Sequence, residues 1–236
     1  MARFLNLHGV VDRHTPLNTA APPHRFIALP WCAALVSDYD LDPDTAKVDP
    51  DDLAASAMTH HQILLAYCAE YPLLPLRFGT VFSGEAAVIA GLVDQSDSYA
   101  NALRILSDHR EYSVELVSGP PTQPLRPSAE TGRGFLLARK GQRDQKRTAT
   151  QNKQDFAQTL YKRAAGWTSY PLHLNDVKPE NLLDISALLT SDGVRHMQDW
   201  LARNAEKAAE LGLSFRVRGP WPAYHITPIL KQLETA

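Results

Sequence analysis

The sequence predicts an α+β protein built as two small α/β domains, and three observations carry that expectation. Short alternating or β-branched apolar stretches are interleaved with stretches of three- and four-residue apolar spacing, and neither kind forms a long run of its own. A strand–helix–strand order occurs in both halves. Proline is in excess, 17 residues against the roughly 12 that an average share of about 5% would give. It punctuates short elements and makes one dense run, Gly119-Pro120-Pro121-Thr122-Gln123-Pro124-Leu125-Arg126-Pro127, through which neither helix nor central strand can pass. The expected organisation is a first domain over 1–118, a proline-rich linker over 119–130 and a second domain over 131–236.

Taken in order, Phe4 to Val11 reads as a strand with Leu5 and Leu7 on one face, followed by short strands at Arg25–Leu29 and Ala33–Ser37. Asp49-Pro50-Asp51-Asp52 starts a helix: a capping Asp, Pro at the first helical position, and carboxylates against the positive end of the dipole. Its expected apolar stripe is Leu53, Ala57, His61, Leu64, Leu65 and Cys68, and Tyr71-Pro72 stops it. Leu73 to Phe82 reads as a buried strand or strand plus turn, and helical patterns follow near 85–94 and 97–106. Glu111 to Val117 alternates polar with apolar, as a half-exposed strand does.

Beyond the linker, 135–165 is polar and basic, with clear helical spacing from Phe156 through Leu160 to Ala164. Asn181–Leu189 reads as a strand. Ser191-Asp192-Gly193 opens the clearest helix, with Val194, Met197, Leu201, Ala205, Ala208 and Leu211 on one face and Gly212 at the left-handed cap position. A strand at Leu213–Arg218 closes the pattern.

Composition excludes several classes. The 24 Lys and Arg against 26 Asp and Glu give a net charge of −2, which argues against a surface adapted as a whole to nucleic acid or anionic lipid. The charge is segregated instead, acidic over 38–52 and basic over 133–153. No apolar run approaches the roughly 20 residues needed to cross a bilayer, and the apolar stretch after Met1-Ala2-Arg3 is broken by Asn6, His8 and Asp12, unlike a signal peptide. A cytoplasmic protein is expected. The two cysteines, Cys32 and Cys68, sit in apolar settings as buried free thiols should.

Signatures of chemistry are missing. There is no Gly-x-x-x-x-Gly-Lys phosphate loop and no Gly-x-Ser-x-Gly elbow. Asp38, Asp40, Asp42 and Asp44 alternate like a calcium loop, but Pro43 stands where Gly is required and Asp49 where a bidentate Glu is required. His60 and His61 are adjacent, so on a helix they point about 100° apart and lack the spacing of a zinc pair. Arg139, Lys140 and Arg143 lead a basic segment that could meet RNA or an acidic partner, yet it lacks the interleaved aromatics of a stacking platform. No cofactor, metal, small-molecule substrate or catalytic residue is expected.

Two segments ask for more than a generic explanation. Leu74-Pro75-Leu76-Arg77-Phe78-Gly79-Thr80-Val81-Phe82 sets Arg77 in an apolar strand, where an unpaired charge would cost several kcal/mol, so it needs either an exposed face or an acidic partner. Gly219-Pro220-Trp221-Pro222-Ala223-Tyr224 is a stiff aromatic–proline turn after a strand. Arg77, Phe78 and Gly79, with Gly219, Pro220, Trp221, Pro222 and Tyr224, are the candidate interaction residues.

These two motifs resemble those of the gas vesicle protein F/L family, Leu-Pro-x-Arg-Phe-Gly-Thr-Val-Phe in the first half and Gly-Pro-Trp-Pro-Pro-Tyr near the C-terminus. The strand ending Gly9-Val10-Val11, the Ala34-Leu35-Val36-Ser37 strand and the His61 helix fall in the family's order as well. The resemblance implies a ferredoxin-like first domain and a non-catalytic accessory or minor structural protein of the gas vesicle, a hollow cytoplasmic compartment with a very apolar shell protein. Its implied partners are that shell protein and other vesicle proteins, because apolar surface awaiting assembly needs shielding or nucleation. The alternative is a ferredoxin-like RNA-binding module using 133–153, which would require exposed aromatics on a sheet face, a pattern absent from the strands.

Overall fold

A computed structural model describes residues 4–16, 24–39, 50–119 and 132–225. The described residues of Met1–Glu111 and Gly219–Ala236 form one compact unit and those of Tyr112–Arg218 another. The division therefore falls at 111/112 and 218/219, and residues 120–131 of the expected linker lie outside the described ones. The reason is visible in the last strand, which leaves the second sheet and returns the chain to the first unit.

In the first unit the sheet is antiparallel, ordered β2(His24–Ala28), β3(Cys32–Tyr39), β1(Phe4–Asp12), β4(Leu73–Pro75), with β5(Val81–Phe82) also on β1. β1 is central, and its apolar run Leu7 to Val11 contains no exposed residue. Helix α1(Pro50–Cys68) carries the chain from β3 to β4, so this path follows the β-β-α-β part of a ferredoxin-like β-α-β-β-α-β chain. Its buried stripe is His60, Ile63, Leu64, Tyr67 and Cys68, whereas residues 51–56 are exposed. The buried stripe is offset from the expected one: Leu53 is 48% exposed, because an open cleft, and not packed side chains, lies between the first turns and the sheet. α2(Glu85–Val93) and α3(Ser96–Leu106) follow, and Val88, Leu92, Ala102, Leu103, Ile105 and Leu106 are buried. Cys32 and Cys68 are free and buried, as expected.

The second unit holds a four-stranded sheet in the order β7(His173–Leu174), β8(Asn181–Leu189), β6(Arg110–Ser118), β9(Leu213–Trp221), with helices α4(Gly132–Ala164) and α5(Ser191–Glu210). Phe156, Leu160 and Ala164 of α4 join Ile185, Leu189, Met197 and Leu201 in one core. The basic segment is thus one continuous helix of 33 residues, about 50 Å long at 1.5 Å per residue. Thr190 caps α5 by accepting a hydrogen bond from the Gly193 amide, and Gly212 follows it at φ +66°. The α5 stripe is buried at Met197, Leu201 and Ala208, but Ala205 is exposed.

β6 departs from its half-exposed expectation. Glu111, Ser113 and Glu115 are buried together with Val114 and Leu116, since Arg216, Arg218 and Asn181 lie on Glu115 and His225 on Glu111.

Candidate functional site

The two motifs meet the same helix through two adjacent histidines. Leu73–Phe82 is not one strand: β4 and β5 pair with different parts of β1, and the residues between them leave the sheet. Leu76 donates its amide to the His8 carbonyl at 2.9 Å, and Leu7 donates to the Thr80 carbonyl at 2.8 Å. Between these anchors the chain makes a turn, in which the Thr80 amide and hydroxyl both donate to the Arg77 carbonyl, at 3.2 and 2.6 Å. Gly79 has φ +82°, the value a type II turn demands at its third position. Arg77 is therefore outside the strand and exposed, so the unpaired buried charge considered above does not arise.

Phe78 turns inward, its ring 5.6 Å from that of His60. His60 donates Nε2–H to the Leu76 carbonyl at 3.2 Å, which leaves its Nδ1 free of a proton when the ring is neutral. The His8 Nδ1–H then donates to His60 Nδ1 at 2.9 Å, and His8 Nε2 accepts from the Ser37 hydroxyl at 2.9 Å. One direction of hydrogen bonding satisfies the whole chain from Ser37 to Leu76, and it requires both imidazoles neutral. Burial, reinforced by the neighbouring His60 and His24, holds the His8 pKa down to about 3, and burial also lowers that of His60. These rings border a cleft of about 560 Å³ that Asn6, Leu53, Thr59 and Phe78 also line. Sequence reasoning passed over His8, since one His in a strand carries no spacing signal; the signal was its place in an otherwise apolar run.

His61, one residue on and about a quarter-turn around α1, serves the other motif. The Tyr224 hydroxyl hydrogen-bonds its Nδ1 at 2.7 Å, and the Tyr224 and Trp221 rings lie 5.9 and 5.7 Å from its ring. Burial raises the Tyr224 hydroxyl to about 12, so it remains a neutral phenol. The motif is not a turn after the strand: Gly219, Pro220 and Trp221 are the end of β9, with a cis Gly219–Pro220 bond. Pro222 and Ala223 are buried and Gly219 is exposed. Cys68 of α1 approaches the Pro220 carbonyl at 3.9 Å. His225 just beyond donates its amide to buried Glu111 at 3.1 Å and places Nδ1 2.8 Å from the same carboxylate. Among the described residues, His61 meets Tyr224 and Trp221, whereas Arg77 is exposed on its turn.

In the second unit, Glu115, 3% exposed, receives Arg216 at 2.9 Å, Arg218 at 3.4 Å and the Asn181 amide at 3.3 Å. Two cations and an amide compensate one buried carboxylate. Arg139, Lys140 and Arg143 are exposed on α4, far along the helix from its buried part at Phe156. Among the described residues no group of three or more His, Cys, Asp or Glu is arranged to hold a metal ion, and no helix is long and apolar enough to cross a membrane.

These features define a mixed α/β protein in which one helix holds two proline- and aromatic-bearing motifs. The chain belongs to the gas vesicle synthesis protein GvpL/GvpF family, whose profile matches residues 9–227, and its role is therefore connected with gas vesicles. Over 93 residues it is 34% identical to the Gas vesicle protein F of Streptomyces sp. (strain CB03234), a match that covers 39% of this chain and only 36% of that relative's length. The crystal structure of gas vesicle protein GvpF from Anabaena sp. PCC7120 is similar at a TM-score of 0.68 and 15% identity, covering 94% of this chain and 97% of that one. That of GvpF from Microcystis aeruginosa gives a TM-score of 0.65 at 16% identity, covering 95% and 98%. Both share the fold over nearly the whole chain.

Proposed function

We propose that this protein is a non-catalytic accessory or minor structural protein of gas vesicle assembly, which binds the apolar shell protein and other vesicle proteins in the cytoplasm. The observation that carries this reading is the family match over 9–227, which includes both motifs. The geometry supports it in two ways. Each motif contributes to holding the fold, through His60 and His61. The first unit also exposes large apolar side chains on its helices, Leu53 and Met58 on α1 and Ile89 and Val93 on α2, which is the chemistry needed to cover apolar surface before it is built into a wall.

Co-expression of the tagged chain with the shell protein tests the proposal. Recovery of shell protein with the tag, reduced by Met58→Glu with Val93→Glu, is the expected result. Failure to recover any vesicle component would overturn it. Protein composition of purified vesicles, beside a deletion strain, separates a resident component from an assembly factor.

A further inference from the structure

The exposed part of α4 carries a feature that folding does not explain. Arg139, Lys140, Arg143, Lys146, Arg147 and Lys153 are the six cations of residues 139–153, opposed there by Asp144 alone. At 100° per residue they fall within an arc of about 140°, with Thr148, Gln145 and Asn152 on the opposite side. The first five are exposed and Lys153 is half-buried. Arg143 has like charges at every helical neighbour that is charged on this face, Arg139, Lys140, Lys146 and Arg147, and each such pair weakens the helix. None of these five makes an ion pair among the described residues. Arg139, Lys140, Gln142, Arg143 and Lys146 line an open hollow of about 650 Å³. An array of repelling, unneutralised charges on one face is costly to the helix alone and is relieved by an anionic surface laid along it.

The chain itself contains such a surface. Its near-neutrality is the difference of two unlike parts: residues 1–111 with 219–236 carry 15 Asp and Glu against 8 Lys and Arg, net −7, while 112–218 carry 11 against 16, net +5. Within the first unit, Glu85, Asp94 and Asp97 of the α2–α3 segment are exposed, and no Lys or Arg occurs from 85 to 103. The nucleic acid alternative is disfavoured because 139–155 contains no Phe, Tyr or Trp for stacking, and because the first unit's net charge repels a polyanion.

We propose that the basic stripe of α4 docks on the acidic α2–α3 segment of a second copy of this chain. The contact joins different surfaces on the two copies, so it is heterologous: it closes into a ring or continues as a chain, according to its rotation. Because the stripe is polar, the contact depends on charge and is screened by salt.

Sedimentation velocity of the full chain over a concentration series tests this. At about 50 mM salt the mass is expected to rise with concentration, and at about 0.5 M salt, where the Debye length is only a few ångströms, it returns to the monomer. Two variants separate the surfaces: Arg139→Gln, Lys140→Gln, Arg143→Gln, Lys146→Gln, Arg147→Gln on one side, and Glu85→Gln, Asp94→Asn, Asp97→Asn on the other. Each is expected to weaken association at least tenfold with its circular dichroism unchanged, and Arg143→Gln alone gives the same direction if the fivefold change disturbs folding. A wild-type chain that remains monomeric at low salt, association that survives high salt, or association unaltered in both variants overturns the proposal. So does a monomeric wild type that retains an RNA oligonucleotide through the stripe, which would make α4 a nucleic acid surface.

Discussion

At His8 three effects act in one direction. Burial, the facing His60 and the nearby His24 all disfavour the imidazolium, and its pKa falls to about 3. Above the ordinary value near 6.5 the ring is neutral both folded and unfolded, so it contributes nothing to pH dependence. Below that value the unfolded chain takes up a proton that the folded one refuses, so stability is lost as pH falls from about 6.5 toward about 3. At about pH 5 the loss is about 2 kcal/mol. Urea unfolding at neutral pH and at about pH 5 should show it, and His8→Asn should flatten the difference; an equal pH effect in the variant would refute the assignment. The thiols behave analogously: burial raises Cys32 to about 12 and Cys68 to about 11, leaving almost no thiolate at neutral pH. Iodoacetamide should modify neither in the folded protein and both in denaturant. Gly79→Ala should cost about 1–3 kcal/mol in thermal or urea unfolding, through its φ of +82° and not through crowding, since nothing lies near an added methyl group.

The elements were legible wherever periodicity decides them. β1, β3, α1 and α5 were expected close to where they occur, because alternation, a proline–acid start and a long apolar stripe are local signals. What escaped were properties set by neighbours. The α1 stripe is offset because sequence spacing does not say how closely each turn of a helix lies on its sheet. β6 was expected to wet its polar side, yet Arg216, Arg218 and Asn181 cover Glu115, and His225 covers Glu111. α4 divides into an anchor and an arm. Phe156→Ala, which empties a buried ring from the second core, should lower stability by about 3–5 kcal/mol. Arg143→Gln, on the exposed arm, should change it by less than about 0.5 kcal/mol. Denaturant titrations of the two variants make the comparison, and equal losses would mean that the arm is packed.

For the molecule as a whole, one domain, a linker and a second domain are expected, and the described residues from Gly219 to His225 group with the first unit. Cutting the chain after Arg218 removes Trp221, Tyr224 and His225, the partners of His61 and Glu111. Glu111 then loses the amide and imidazole hydrogen bonds of His225, a loss of about 1–3 kcal/mol. Thermal unfolding of the truncated chain should show the lowered transition, His225→Ala part of it, and an unchanged transition would refute the role of the C-terminal motif as an anchor. By itself the sequence determined the mixed α/β class, most element positions and the two motifs that mark the gas vesicle family, because those depend on local spacing and on residue identities in order. Only the tertiary structure decided that His60 and His61 join those motifs to one helix, that Arg77 lies outside its strand, and that the polar side of β6 is buried. The His8–His60, Asn181–Glu115 and His61–Tyr224 pairs are 52, 66 and 163 positions apart, and which distant group compensates a buried charge or imidazole is settled only when the sheets have brought it within hydrogen-bonding distance.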